Sequence, residues 1–270
     1  MKEVELVAIS DVKEKQKKIA DEYACKFYTS YIEMIEKEDI NAVSVVVPSS
    51  LHHEVSLEVI NRKKHILVEK PLAQTIEDAE NIINAAKEKK VKLMVGHIER
   101  FNPVIRKVRE IIDSGTVGEI ISIVARRVGG YPKNILEDNV ITDLAVHDID
   151  IFNYLLGKEP LSVYCHNTKA NNSSRINSAE ILIDYGETGC ISQVNWITPT
   201  KIRTISLTGT LGHIEINNIT QEISLYRISY QDQPFKTFDE YIMKFGHPIA
   251  EKIEIDKKEE PLRLELEAFI

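Results

Sequence analysis

A chain of 270 residues with 43% hydrophobic and 28% charged side chains can bury one large or two ordinary cores, which excludes an intrinsically disordered protein. A formal net charge of −8 argues against a nucleic-acid face, and the Lys-rich stretches at 13–18 and 87–92 interleave Glu and Gln as solvated helix faces do. Three cysteines, Cys25, Cys165 and Cys190, lack C-x-x-C spacing, and neither a signal core nor a spanning apolar run is present. Buried thiols and a soluble, cytoplasmic protein without membrane or nucleic-acid partners are therefore expected.

In chain order, the first half alternates short apolar runs with amphipathic stretches. Strands are predicted at Val4–Ile9, Lys26–Tyr28, Ala42–Val47, His65–Val68 and Lys92–Val95. The intervening helices are Val12–Ala24, Ser30–Lys37, Leu51–Arg62 and Thr75–Lys89. That rhythm implies βαβ units and a parallel sheet. After a helix at Pro103–Asp113 and a turn at Ser114-Gly115, the pattern changes to alternating runs at Glu119–Arg127, Leu161–Thr168, Ala179–Asp184, Cys190–Ile197, Arg203–Leu207, His213–Ile216 and Glu222–Arg227. These predict a mostly antiparallel open sheet with one helix, Thr142–Leu156, inserted. The expected class is α/β, a doubly wound sheet in residues 1–115 followed by an α+β domain in residues 116–270.

Two segments stand out chemically. His65-Ile-Leu-Val-Glu69-Lys70-Pro71-Leu72 puts a Glu-Lys pair at the end of an apolar strand, where ligands collect in open α/β sheets. The plain alternative is a solvated strand exit ended by Pro71. In the second segment, Asp143 to Gly157, a spacing of ~100° per residue gathers Asp143, His147, Asp150 and Tyr154 into a stripe about 60° wide on an otherwise apolar helix. An ionisable stripe on a buried helix is costly unless paired or facing a wet cleft. A structural Asp143–His147 pair with an exposed Asp150 is the competing reading.

No G-x-G-x-x-G occurs, although a dinucleotide-binding turn is built from it. Asp11, after the first predicted strand, stands where the second strand's acidic residue meets a ribose 2′-hydroxyl, and it also suits a helix N-cap. The chain thus reads as lacking roughly 30 residues of first strand, glycine-rich turn and first helix. Pro261–Ile270 reads as a helix without a cap, so truncation at both ends is expected.

Glu69-Lys70-Pro71 and Asp143-x-x-x-His147-Asp148 together resemble the two signatures of the glucose–fructose oxidoreductase/inositol dehydrogenase (Gfo/Idh/MocA) family. Val45-Val-Val-Pro48-Ser-Ser-Leu-His52 agrees. Gly96-His97-Ile-Glu-Arg100-Phe101-Asn102-Pro103 and Asn195-Trp196-Ile-Thr-Pro199 look like its sugar-nucleotide branch. The resemblance implies hydride transfer from a sugar carbinol to NAD, with the 3-hydroxyl of a UDP-N-acetyl-hexosamine as the expected site of oxidation.

On that resemblance, His147 takes the hydroxyl proton, Asp143 fixes its tautomer and Lys70 stabilises the developing alkoxide, the three facing one cleft. Glu69 positions Lys70 or the nicotinamide ribose. Pro48 and His52 line the cofactor, and Asp11 favours NAD over NADP because a carboxylate repels a 2′-phosphate. A nucleotide-sugar pyrophosphate needs cations. Arg100 and Asn102 in the octapeptide and Lys201 are expected at substrate, Arg100 also at the cofactor, with Arg126, Arg127 and Arg203 as further candidates. Trp196, the sole Trp, either stacks on a ligand ring or packs the sheet, and His97 either lines the cleft or is a satisfied loop residue. The resemblance also implies a homo-oligomer when full length.

Three alternatives stay open. They are a dehydrogenase of a free polyol or aldose, a hydrolase with a metal on Asp143, His147 and Asp150, and an inactive remnant that binds no cofactor.

Overall fold

The alternating runs of the first 96 residues fold as short strands and helices: β1 (Ala8–Ser10), α1 (Lys17–Glu22), β2 (Lys26–Tyr28), α2 (Tyr31–Lys37), β3 (Ala42–Val45), α3 (His52–Asn61), β4 (His65–Glu69), α4 (Ile76–Lys89) and β5 (Leu93–Gly96). This computed structural model describes residues 4–132, 138–227, 250–255 and 260–270. Ser30 and Thr75 cap α2 and α4, their hydroxyls accepting from the backbone N–H of Glu33 and Asp78. The first helix is shorter than predicted. The Asp11 carboxylate accepts from Lys13 N at 2.7 Å, a 3-10 turn occupies Glu14–Gln16, and Val12 is exposed instead of anchoring an apolar face.

All strands of this unit run parallel, in two sheets of order β1-β2 and β3-β4-β5. One core nevertheless serves both pieces, with Val45, Val59, Ile60, Ile66, Val68 and Ile82 buried and Val7, Ala8 and Tyr28 packed against them.

The second unit begins at His97 and runs to Glu265, while residues 266–270 group with the first. The boundary thus precedes residue 115. The reason is α5 (Pro103–Asp113), which buries Val104, Ile105, Val108 and Ile111 at helical spacing in the second unit's core. There follow β6 (Ile120–Val128), a π-helical turn (Ile141–Ala145) leading into α6 (Val146–Leu156), β7 (Ser162–Thr168), β8 (Ser178–Asp184), β9 (Gly189–Asn195), β10 (Ile202–Gly209), β11 (Gly212–Asn217), β12 (Glu222–Arg227), β13 (Glu251–Ile253) and α7 (Pro261–Phe269). β13 was not anticipated, its Glu-Lys-Ile sequence having no strand pattern.

These strands form one eight-stranded sheet, β13-β12-β11-β10-β6-β9-β8-β7, antiparallel throughout except for β6 beside β9. Ile123, Ala125, Ala179, Ile181, Ile183, Cys190 and Val194 turn inward, against Leu144, Ala145, Ile151, Phe152 and Leu155 of the inserted helix. Fully burying such a side chain stabilises by about 1.5–3 kcal/mol. Cys190 meets the expectation of a buried thiol, whereas Cys165 is exposed on the edge strand β7 and Cys25 is half-buried. Among the described residues, no helix is long and apolar enough to cross a membrane.

Candidate functional site

In the first unit the expected site residues collect at the carboxyl ends of parallel strands: Asp11 after β1, Pro48 after β3, Glu69 and Lys70 at the end of β4. Lys70 N donates to Glu69 Oε2 at 3.3 Å, and Gly96 leaves room for this carboxylate, since a Cβ there would stand 3.2 Å from Glu69 Cδ. His52, expected at the cofactor, is 1% exposed, and both of its ring nitrogens engage backbone carbonyls: Nδ1 to Pro71 O at 2.7 Å and Nε2 to Val47 O at 2.9 Å. One buried imidazole thus ties the loop after Lys70 to the loop before Pro48. Gln74 Nε2 donates to Ser49 Oγ at 3.2 Å and draws the same loops together.

In the second unit the charges of the inserted helix sort into two groups. Asp143 lies in the π-helical turn and His147 in the first turn of α6, both half-buried. Asn139 holds the turn's start, its Oδ1 accepting from Ile141 N at 2.8 Å and Thr142 N at 3.2 Å. Single π-turns inside α-helices concentrate at functional sites. The simple 100° wheel did not foresee this turn.

Asp148 and Asp150 form the other group. Asp148 is 1% exposed and accepts from Arg127 Nε at 2.7 Å and Ser192 Oγ at 2.9 Å. Arg127 Nη1 also donates to Glu99 Oε1 at 2.7 Å, and Asn102 Nδ2 donates to Glu99 Oε2 at 3.0 Å. Burial pushes the Asp148 carboxyl above the usual carboxylate range, with Arg127 and Ser192 pulling it back only in part. For Arg127, burial opposes the charge, but Asp148 and Glu99 outweigh it and hold the guanidinium above its ordinary value. Asp150 accepts from Arg100 Nε at 2.9 Å and lies 3.4 Å from His97 Nδ1.

The expected phosphate cations are therefore unequal. Arg127 is committed to the buried Asp148 and the half-buried Glu99, Arg100 to Asp150 and the ring of Tyr154, and Arg203 donates to the carbonyls of Val128 and Ile202. Arg126 and Lys201 are exposed. Asn102 caps α5, its Oδ1 accepting from Val104 N at 3.2 Å. Asp150, read as an exposed edge in the alternative account of the stripe, is instead buried and ion-paired. Among the described residues, no group of three His, Cys, Asp or Glu side chains is placed to hold a metal.

The Glu99–Arg127–Asp148 link escaped sequence reading. Its one trace is that the buried helix carries two further acids, Asp148 and Asp150, opposite a Glu99-Arg100 pair elsewhere. A cleft beside Trp196 was also missed. Tyr131 meets the indole edge-to-face at 5.5 Å between centroids, and the Arg175 guanidinium lies 5.8 Å from the Tyr131 ring and 5.7 Å from that of Trp196.

Comparison with known proteins agrees with this architecture. Residues 1–97 match the model of the oxidoreductase family with an NAD-binding Rossmann fold, and residues 105–215 match the GFO/IDH/MocA C-terminal domain. The chain is 31% identical to UDP-N-acetylglucosamine 3-dehydrogenase of Acidithiobacillus ferrooxidans over 56% of its own length and 46% of that protein. It is 33% identical to inositol 2-dehydrogenase of Rhizobium meliloti over 58% of its length and 49% of that protein. Each alignment thus spans about half of the relative. The solved structure of the Acidithiobacillus enzyme superposes with a TM-score of 0.83 at 22% identity, covering 98% of this chain and 79% of that one. With both family domains matched in order on the fold just described, the chain belongs to the GFO/IDH/MocA oxidoreductase family, whose N-terminal domain is an NAD-binding Rossmann fold.

Proposed function

We propose that the protein is an NAD-dependent dehydrogenase that oxidises a ring hydroxyl of a sugar, with the 3-hydroxyl of a UDP-N-acetyl-hexosamine as the substrate position. The observation that carries this reading is Lys70, held immediately past the carboxyl end of β4, the middle strand of a parallel sheet, in a loop fixed by Glu69 and His52. The residues present fit the ribose and nicotinamide halves of NAD. One Asp11 oxygen is used by Lys13 N, leaving the other for a ribose hydroxyl, and Pro48 and Glu69 stand at neighbouring strand ends. No glycine-rich turn in the sequence fits the pyrophosphate. When bound, NAD supplies the hydride acceptor.

The chain's own residues manage the proton. His147 accepts it from the substrate hydroxyl, histidine being the side chain used most often for such proton transfer. Asp143, one turn earlier, orients the imidazole and stabilises its cation. Lys70 hydrogen-bonds the same oxygen as negative charge develops. Lys70→Ala and His147→Ala should each lower kcat by ~10²–10⁴-fold with NAD affinity retained. Loss of NAD binding with turnover intact would overturn these roles.

The nucleotide-sugar assignment is supported by the Gly96–Pro103 octapeptide and by the likeness to UDP-N-acetylglucosamine 3-dehydrogenase. A free polyol is the second reading, favoured by the 33% identity to inositol 2-dehydrogenase. Turnover of UDP-N-acetylglucosamine against myo-inositol separates them.

A further inference from the structure

The loop between β7 and β8 holds the entrance to the π-helical turn at two adjacent residues. Arg175 Nη1 donates to Asp138 O at 2.8 Å, and Ile176 O accepts from Val140 N at 3.1 Å. Asn139, between the two held residues, starts the turn: its side chain caps Ile141 and Thr142, and its carbonyl accepts from Asp143 N at 3.0 Å. The backbone of Asp143 therefore hangs, at one remove, on Arg175 and Ile176. Val140 is fully buried and Ile176 packs against the core, so apolar contact anchors the second of these bonds. The first depends on a side chain.

That side chain is itself braced. The Arg175 guanidinium lies 5.8 Å from the Tyr131 ring and 5.7 Å from that of Trp196, surroundings that favour a cation, and its Nη2 donates to Tyr131 Oη at 2.6 Å. Trp196 is buried, and its backbone N–H donates to Asn177 O at 2.9 Å, which ties it to the loop that carries Arg175. Asn177 closes that loop, its amide donating to Ala170 O at 2.9 Å and accepting from Ala170 N at 2.8 Å. With one nitrogen on Tyr131, another on Asp138 and two rings against it, the guanidinium acts as a strut between the aromatic pair and the chain entering the turn. What it controls follows from the turn's geometry. A π-turn holds one residue more than an α-turn and is rare. Relaxing it to α would rotate the chain before it by up to about 100°, the angular step of one residue, and carry Asp143 part of that way.

We propose that Arg175 is a positioning residue for the dehydrogenase reaction, holding the entrance to the π-helical turn and thereby aiming Asp143 at His147. The proposal rests on the roles given to Asp143 and His147 above.

Two measurements test it, one of them without turnover. Arg175→Met keeps the apolar stem at a half-buried position and removes both donors, and circular dichroism checks that the variant is folded. Amide hydrogen exchange in peptides spanning residues 139–147 should quicken by about tenfold, roughly the contribution of one hydrogen bond. Arg175→Lys, which keeps a cation beside the rings and can still donate, should exchange at an intermediate rate. In the NAD-loaded protein, Arg175→Met should lower kcat by up to about 10²-fold with the substrate KM little changed, and in an Asp143→Ala background it should add no further loss. A residue that merely stabilises the fold would multiply the Asp143→Ala loss instead. Exchange unchanged in Arg175→Met overturns the strut, whatever the kinetics. Faster exchange with multiplying losses, or with kcat intact while Asp143→Ala is impaired, also overturns the proposal, because Asp143 would then not be aimed through Arg175. Faster exchange in a protein that oxidises no sugar, or whose Asp143→Ala variant turns over as fast as the parent, would uphold the hold on the turn and defeat the dehydrogenase roles.

Discussion

The two units fasten their proposed chemistry by different means. At the strand ends of the first, a buried imidazole bridges two backbone carbonyls and fixes the path of two loops. In the second, Arg127 bridges Glu99 and Asp148, and the exposed Arg100 grips the buried Asp150, so that the 97–102 segment and β6 hold α6 through ion pairs, the Arg127–Asp148 one buried. Contacts from one ring to two carbonyls aim peptide groups, which is what a loop passing a cofactor requires. Buried ion pairs add little net stability against apolar packing, but every wrong pairing is expensive, so they select one arrangement. Here they select one rotation and height of α6, and hence the direction in which Asp143 and His147 point.

The largest expected effect follows from that asymmetry. Asp148→Ala leaves Arg127 buried with one partner lost and should cost about 3–5 kcal/mol, read from denaturant unfolding. Replacing the link with apolar residues, Glu99→Leu with Arg127→Met and Asp148→Leu, should recover much of that loss while kcat stays low. Recovery of both stability and turnover would show that the ions do not set the helix.

His52→Ala comes next. The Val47 and Pro71 carbonyls lose the ring that joins them, and an unsatisfied buried group costs about 1–3 kcal/mol, so the loss should be smaller than in Asp148→Ala. Its signature is a fall in kcat through the displaced Lys70 loop, with His52→Gln partly restoring turnover. A stability loss exceeding that of Asp148→Ala would reverse the ranking of the two devices.

Much of this was legible from periodicity and punctuation. Strand Glu222–Arg227 and helix Pro103–Asp113 lie where the pattern put them, because alternation and helical spacing are local properties of the chain. The Glu69-Lys70 strand exit and the helix that carries Asp143 and His147 were visible for the same reason. What stayed hidden is long-range. Nothing local in Arg127 distinguishes a buried hub from a phosphate cation, because its partners are 21 and 28 residues away. Nothing local to His52 showed that its ring would meet the carbonyls of Val47 and Pro71. The Tyr131, Arg175 and Trp196 cleft joins three loops, each unremarkable by itself.

The smallest effect concerns His97, beside the Arg100–Asp150 pair. Burial lowers its pKa from the ordinary value, with the attraction of Asp150 opposing and the repulsion of Arg100 assisting. A base with a depressed folded-state value binds its proton more weakly in the folded chain than in the unfolded one. As pH falls through about 6.5, the unfolded chain takes up a proton that the folded chain does not, so stability declines until the folded value is reached. His97→Gln removes this difference. The gap in thermal midpoint between pH 7.5 and pH 5.5 should therefore be narrower in the variant than in the parent. If the parent gained stability on acidification through this site, the attraction of Asp150 would outweigh burial, and His97 would belong with the ion pairs that hold α6 instead of being a neutral neighbour of them.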